Sequence, residues 1–99
     1  MILIWSLAHS KTGTSMEKRI IVSITYQTKE QDFELPSGTP LGSLDQKLRD
    51  LFPRVFEIPD PEDALFFLKT EEGFLSPEYS LASQGIRDGS RLTLVVFND

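Results

Sequence analysis

Between Ile20 and Gln27 the chain alternates apolar and polar side chains, with Ile20, Val22, Ile24 and Tyr26 on one side and Ser23, Thr25 and Gln27 on the other. A period of two predicts a strand with one buried and one wetted face. Thr28-Lys29-Glu30-Gln31 reads as a polar hairpin turn, and alternation resumes at Asp32-Phe33-Glu34-Leu35 as the return strand. Pro36-Ser37-Gly38 interrupts it. The period then lengthens: Leu41, Leu44, Leu48 and Leu51 recur at three- and four-residue steps, one stripe of a helix. Thr39 suits its N-cap, where a hydroxyl accepts from an unpaired amide, and Pro40 its first position, where no N–H is needed. Pro53 is expected to end this helix near Leu51 or Phe52.

Arg54 to Asp63 reads as a connecting loop with Pro59 and Pro61. Ala64 to Thr70 predicts a strand around the unbroken apolar run Leu65-Phe66-Phe67-Leu68. Glu71-Glu72-Gly73 turns into a very short strand at Phe74-Leu75, and Ser76 to Ser80 forms a further loop. From Arg91 to Phe97 alternation returns, with Leu92, Leu94 and Val96 on one face and Thr93, Val95 and Phe97 on the other. Hairpin, helix, strand, short strand and strand make an α+β layer pair: a mixed four- to five-stranded sheet with one main helix packed on one face. A single helix covers one face only, so the other must meet water or a partner.

Ninety-nine residues, 39% hydrophobic and 25% charged, suffice for one domain with a modest core. There is no cysteine, which removes thiol catalysis, redox switching and cysteine-based zinc sites. A net charge of −5 argues against nucleic acid and against adsorption to anionic lipid. The opening run Met1 to Ala8 is apolar but far short of the roughly 20 residues that span a bilayer. It also lacks the leading positive charge of a signal peptide. No membrane insertion and a cytoplasmic location are expected. Residues 1–17 do not share the periodicity of the rest. Either Met16 is the true start, or the segment is an added edge strand or a partner-binding arm. The division expected is a peripheral or disordered segment over 1–17 and a domain over 18–97.

The stretch from Leu81 to Leu94, containing Gly85-Ile86-Arg87-Asp88-Gly89-Ser90-Arg91-Leu92, resembles the closing segment of the YukD family. That family is ubiquitin-like and includes the N-terminal domain of the EccD component of type VII (WXG100) secretion. The resemblance covers residues 18 to 97 and implies a ubiquitin-like β-grasp fold. It further implies a non-catalytic cytoplasmic accessory protein that binds secretion components. Leu81 and Ile86 would plug the core beneath the sheet, and Asp88-Gly89 would turn where glycine takes a positive φ. The same Gly-Ile-x-Asp-Gly pattern occurs in other ubiquitin-like domains. The ending Val95-Val96-Phe97 followed by acid also resembles small β-grasp accessory subunits of multicomponent enzymes such as bacterial aromatic monooxygenases, which is the alternative reading.

Candidate chemistry is sparse. Conjugation and sulfur transfer need a terminal glycine pair, whereas this chain ends Val95-Val96-Phe97-Asn98-Asp99. Glu57, Asp60, Glu62 and Asp63 lack the alternating ligand spacing and central glycine of a calcium loop. His9 is the sole histidine, so any triad would depend on it. No catalytic residue, cofactor or metal is expected. The sheet face away from the helix is the candidate site. Ile21, Thr93, Val95 and Phe97 are expected there, joined by Phe66 if Leu65 and Phe67 point inward, as an apolar patch for a protein partner or a second copy. The other possibility is that the N-terminal run folds back over it.

Overall fold

A computed structural model describes residues 4–6 and 18–98 of the chain. Strands β2 (Arg19–Tyr26) and β3 (Lys29–Pro36) form the first hairpin, antiparallel, with Ile24 opposite Gln31 and Ile20 opposite Leu35. The turn is tighter than its polar composition suggests. Gln27 and Thr28 alone join the strands, and β3 begins at Lys29 rather than Asp32. Gln27 takes a φ of 56°, the left-handed geometry that lets so short a loop reverse the chain.

Strand β6 (Arg91–Asn98) enters beside β2 in parallel, with Ser23 opposite Arg91 and Thr25 opposite Thr93. Strand β4 (Ala64–Thr70) lies antiparallel on its other side, and the two-residue β5 (Gly73–Phe74) flanks β4. Strand β1 (Ile4–Ser6) pairs in parallel with Asp32 to Glu34 of β3 at the far edge. The sheet order is β1-β3-β2-β6-β4-β5. The remaining residues of the predicted 1–17 segment, His9 among them, lie outside the described residues.

One face of this sheet carries the core. Ile20, Val22, Ile24, Phe33 and Leu35 from the hairpin meet Leu68, Leu92 and Leu94 beneath a single helix. Helix α1 runs over Asp45–Phe56 and is entered through a 3₁₀ turn at Leu41–Leu44. Leu41, Leu44 and Leu48 are buried as the stripe predicts, Leu51 only partly. Two expectations fail here. The N-cap position falls on Pro40 and not on Thr39, and Pro40 has no side-chain cap bond; the amides of Leu41 and Gly42 donate to the carbonyls of Tyr79 and Pro77, at 3.0 and 2.8 Å. Pro53 does not end the helix, which continues through it to Phe56. A proline inside a helix costs about 3 kcal/mol. Continuing the turn buries Phe56 and positions Ile58, each worth about 1.5–3 kcal/mol. Burial outweighs the lost bond.

Leu81 and Ile86 are buried under the sheet, as the closing motif predicts. Gly89 has a φ of 89° at the turn into β6.

Candidate protein-interaction face

The outward face of the sheet is set by the register of β4 against β6. Leu65 lies opposite Phe97, Phe67 opposite Val95 and Lys69 opposite Thr93. Leu65, Phe67 and Phe97 are 48%, 42% and 49% exposed, and Phe74 on β5 is 58% exposed. The three aromatic rings form a row. Phe67 meets Phe97 edge-on at 5.6 Å and Phe74 edge-on at 6.0 Å. The Lys69 ammonium sits 6.0 Å from the Phe74 ring centre. Aromatic side chains left this open to water form a contiguous apolar strip of the kind that marks an interaction surface.

Phe66 is not part of it. It points under the sheet, half-buried against the core, its ring 6.1 Å from that of Phe52. Buried Ala64 and Leu68 share its parity, so Leu65 and Phe67 are the outward pair. The run of four apolar residues hid this alternation. Lys69 was the available signal: a cation belongs in water, and it shares the parity of Leu65 and Phe67.

The five predicted residues do not all meet. Thr93, Val95 and Phe97 lie in a line with Phe67 and Leu65. Ile21 lies on the same face but at the other end of β2. Because β2 and β6 run parallel with Thr25 beside Thr93, Ile21 is level with Gly89, roughly 20 Å from Val95 at the usual rise of a strand. Its neighbours are polar. Glu34 lies opposite it, and Ser23 Oγ donates to Asp32 Oδ1 at 2.8 Å. Thr25 Oγ1 donates to Glu30 Oε2 at 3.3 Å. The face is thus apolar over β4, β5 and β6, and acidic with hydroxyls over β2 and β3. Strand β1 lies four strands from β4, roughly 19 Å away, so its placed residues do not cover the aromatic row.

Among the described residues no group of three or more histidine, cysteine or acidic side chains is gathered to hold a metal. Glu57, one of the loop acids, turns instead to Lys29 at 2.9 Å. That hydrogen bond and charge hold its carboxyl below its ordinary pKa.

A helix crossing one face of a sheet whose first and last domain strands run parallel at the centre, in the order β3-β2-β6-β4-β5, defines a ubiquitin-like β-grasp domain. The family described as "WXG100 protein secretion system (Wss), protein YukD" matches residues 19–94, and the chain belongs to that family. The EccD5 ubiquitin-like domain from Mycobacterium xenopi superposes with a TM-score of 0.67 at 22% identity, over 83% of this chain and 98% of that one. The ubiquitin-like domain of the Mycobacterium tuberculosis type VII secretion protein ECCD1 gives 0.66 at 23% identity, over 79% and 98%. A chain of the MycP5-free ESX-5 inner membrane complex gives 0.66 at 17% identity, over 82% of this chain but 21% of that one. At these identities the likeness is one of fold. No curated protein matches the chain.

Proposed function

We propose that this domain is a non-catalytic, protein-binding accessory of a type VII secretion system, working on the cytoplasmic side through its outward sheet face. The supporting observation is the exposed row Phe74, Phe67 and Phe97 with Leu65 and Val95, on the face that α1 leaves open. Membership of the YukD family supplies the setting. The solved ESX-5 inner membrane complex contains a chain with this fold, which favours a protein partner. No described helix is long and apolar enough to cross a membrane, so any membrane association in this reading comes through a partner. The net charge of −5 disfavours nucleic acid. A second copy on the same strip remains a partner in this reading. Nothing among the matches favours the monooxygenase-subunit alternative.

The test replaces Phe67 and Val95 by Asp, singly and together, in the cell the protein comes from. Export of WXG100 substrates should fall at least about tenfold in the double variant, while circular dichroism of the purified protein keeps the native spectrum. Undiminished export from a folded double variant refutes the assignment of this face.

A further inference from the structure

The two edges of the sheet are finished differently. On the β3 side, β1 pairs with Asp32, Phe33 and Glu34, and the strand carries Lys29, Glu30, Asp32 and Glu34. Cover and charge of this kind keep an edge from pairing with foreign strands. On the β4 side, β5 pairs only with Lys69 and Thr70. One further bond, from the Leu75 N–H to the Leu68 carbonyl at 2.9 Å, closes the ladder there. That bond fixes the parity. The N–H and C=O of Phe66 and the C=O of Ala64 point outward along the same edge, and no described residue pairs with them. The run Ala64-Leu65-Phe66-Phe67-Leu68 along this edge has no charge or proline to blunt it.

Beside this bare edge, a groove of about 300 Å³ opens between β4 and α1. Leu48 and Phe52 line it from the helix, Phe66 from the strand, and Leu75 and Pro77 from the loop after β5. A strand laid along β4 would turn alternate side chains into the groove and the others toward Leu65 and Phe67. Carboxylates stand at the open end of the track, Glu62 and Asp63 immediately before β4, both exposed. The nearby cation Arg49 is held by Asp45 at 2.8 Å. The bare part of the track runs from Ala64 to Phe67, because Leu75 and β5 already pair with Leu68, Lys69 and Thr70.

We propose that the β4 edge is a second docking site, which takes an extended apolar segment with a basic flank from a partner protein by strand addition. Main-chain bonds to Phe66 and Ala64 hold the segment, the groove selects its apolar side chains, and Glu62 and Asp63 select Lys or Arg at its flank. A second copy of this chain fits poorly. A two-fold pair centred on Phe66 sets the copy's Asp63 and Glu62 against Lys69 and Thr70, where β5 already lies. The site is distinct from the outward aromatic row, with which it shares only Leu65 and Phe67.

The test is an NMR titration of the isotope-labelled full chain with the peptide acetyl-Lys-Arg-Val-Ile-Val-Leu-Arg-Lys-amide. Two versions N-methylated at alternate peptide bonds, odd in one and even in the other, run beside it, with a fourth carrying Glu at all four basic positions. The parent should perturb Ala64 to Leu68, Leu48 and Leu75, and slow exchange of the Phe66 amide at least about tenfold. In strand addition only donors facing β4 matter, so one methylated version should bind at least about tenfold more weakly and the other much less so. The acidic version should also lose about tenfold at low salt. Equal behaviour of the two methylated peptides, perturbation confined to Thr93 to Phe97, or no perturbation at roughly millimolar peptide overturns the proposal. So does a Phe66 amide already protected in the free protein, which means that this chain or a second copy fills the edge.

Discussion

The Asp88 carboxylate accepts the Ile21 N–H at 2.7 Å, and the adjacent Gly89 N–H donates to the Ile21 carbonyl at 2.7 Å. With the Ser23 N–H donating to the Ser90 carbonyl at 2.9 Å, these bonds extend the central parallel ladder back before β6 begins. Gly89 can sit there because its φ of 89° is open to glycine and strained for other residues. Asp88→Ala leaves the Ile21 amide without its charged acceptor and is expected to cost about 1–2 kcal/mol in urea unfolding. Asp88→Asn retains an acceptor oxygen and should cost less than half as much. A loss from Asn equal to that from Ala sinks this account. The Asp-Gly pair is legible as a turn from two adjacent letters. Its bond to β2 is not, because the partner lies 67 positions away and only the parallel register brings it near.

At the scale of elements, α1 carries its own test. Pro53 stands inside the helix, where it withholds an N–H from the ladder. The helix persists because Phe52 and Phe56 are buried against Phe33, the Phe33 and Phe52 rings meeting edge-on at 5.6 Å. Pro53→Ala restores the donor without touching those contacts and should raise stability by about 1–3 kcal/mol. Thermal unfolding would show it; a lower midpoint would mean that the proline ring itself packs usefully. The end of the helix was the least legible element, since a local stop signal competed with burial that only the folded sheet provides. The leucine stripe, the hairpin strands and the closing motif were legible because each repeats a short-range pattern. Past Pro53, the helix ends at Glu57, in the left-handed region at φ 55°, and the Lys29 ammonium reaches across from the start of β3 to its carboxylate. Lys29 keeps the Glu57 carboxyl below its ordinary value of 4.5, first by hydrogen bond and then by charge. A depressed carboxylate stabilises the fold above its unfolded pKa, and that support is lost as the pH falls through the folded value. In Lys29→Met the Glu57 titration should move up to the ordinary value and the acid-side loss specific to this pair should vanish. An unmoved titration in carboxyl-detected NMR would show that the contact is not populated in solution.

For the whole molecule, everything depends on the sheet having one covered and one open face. The helix lies over the side that holds Val22, Ile24, Leu68, Leu92 and Leu94, while the outward side keeps its aromatic row in water. This asymmetry separates stability from binding, and the two can be measured apart. Leu48→Ala and Leu94→Ala each empty a buried site and should cost about 2–5 kcal/mol, part of it from the cavity left behind. Phe67→Asp and Val95→Asp remove surface that is already wet or half-wet, and should cost less than about 1.5 kcal/mol even with the loss of edge-on ring contacts. Denaturant melts of the four variants decide the matter together. If the outward pair proved as costly as the inward pair, the strip would be part of a second core, covered in the native protein and closed to partners. If the inward pair cost less than about half a kcal/mol, the helix would not lie where the leucine stripe places it. The expected split, large inside and small outside, leaves the aromatic row with no structural duty, which is what the proposed docking role requires of it.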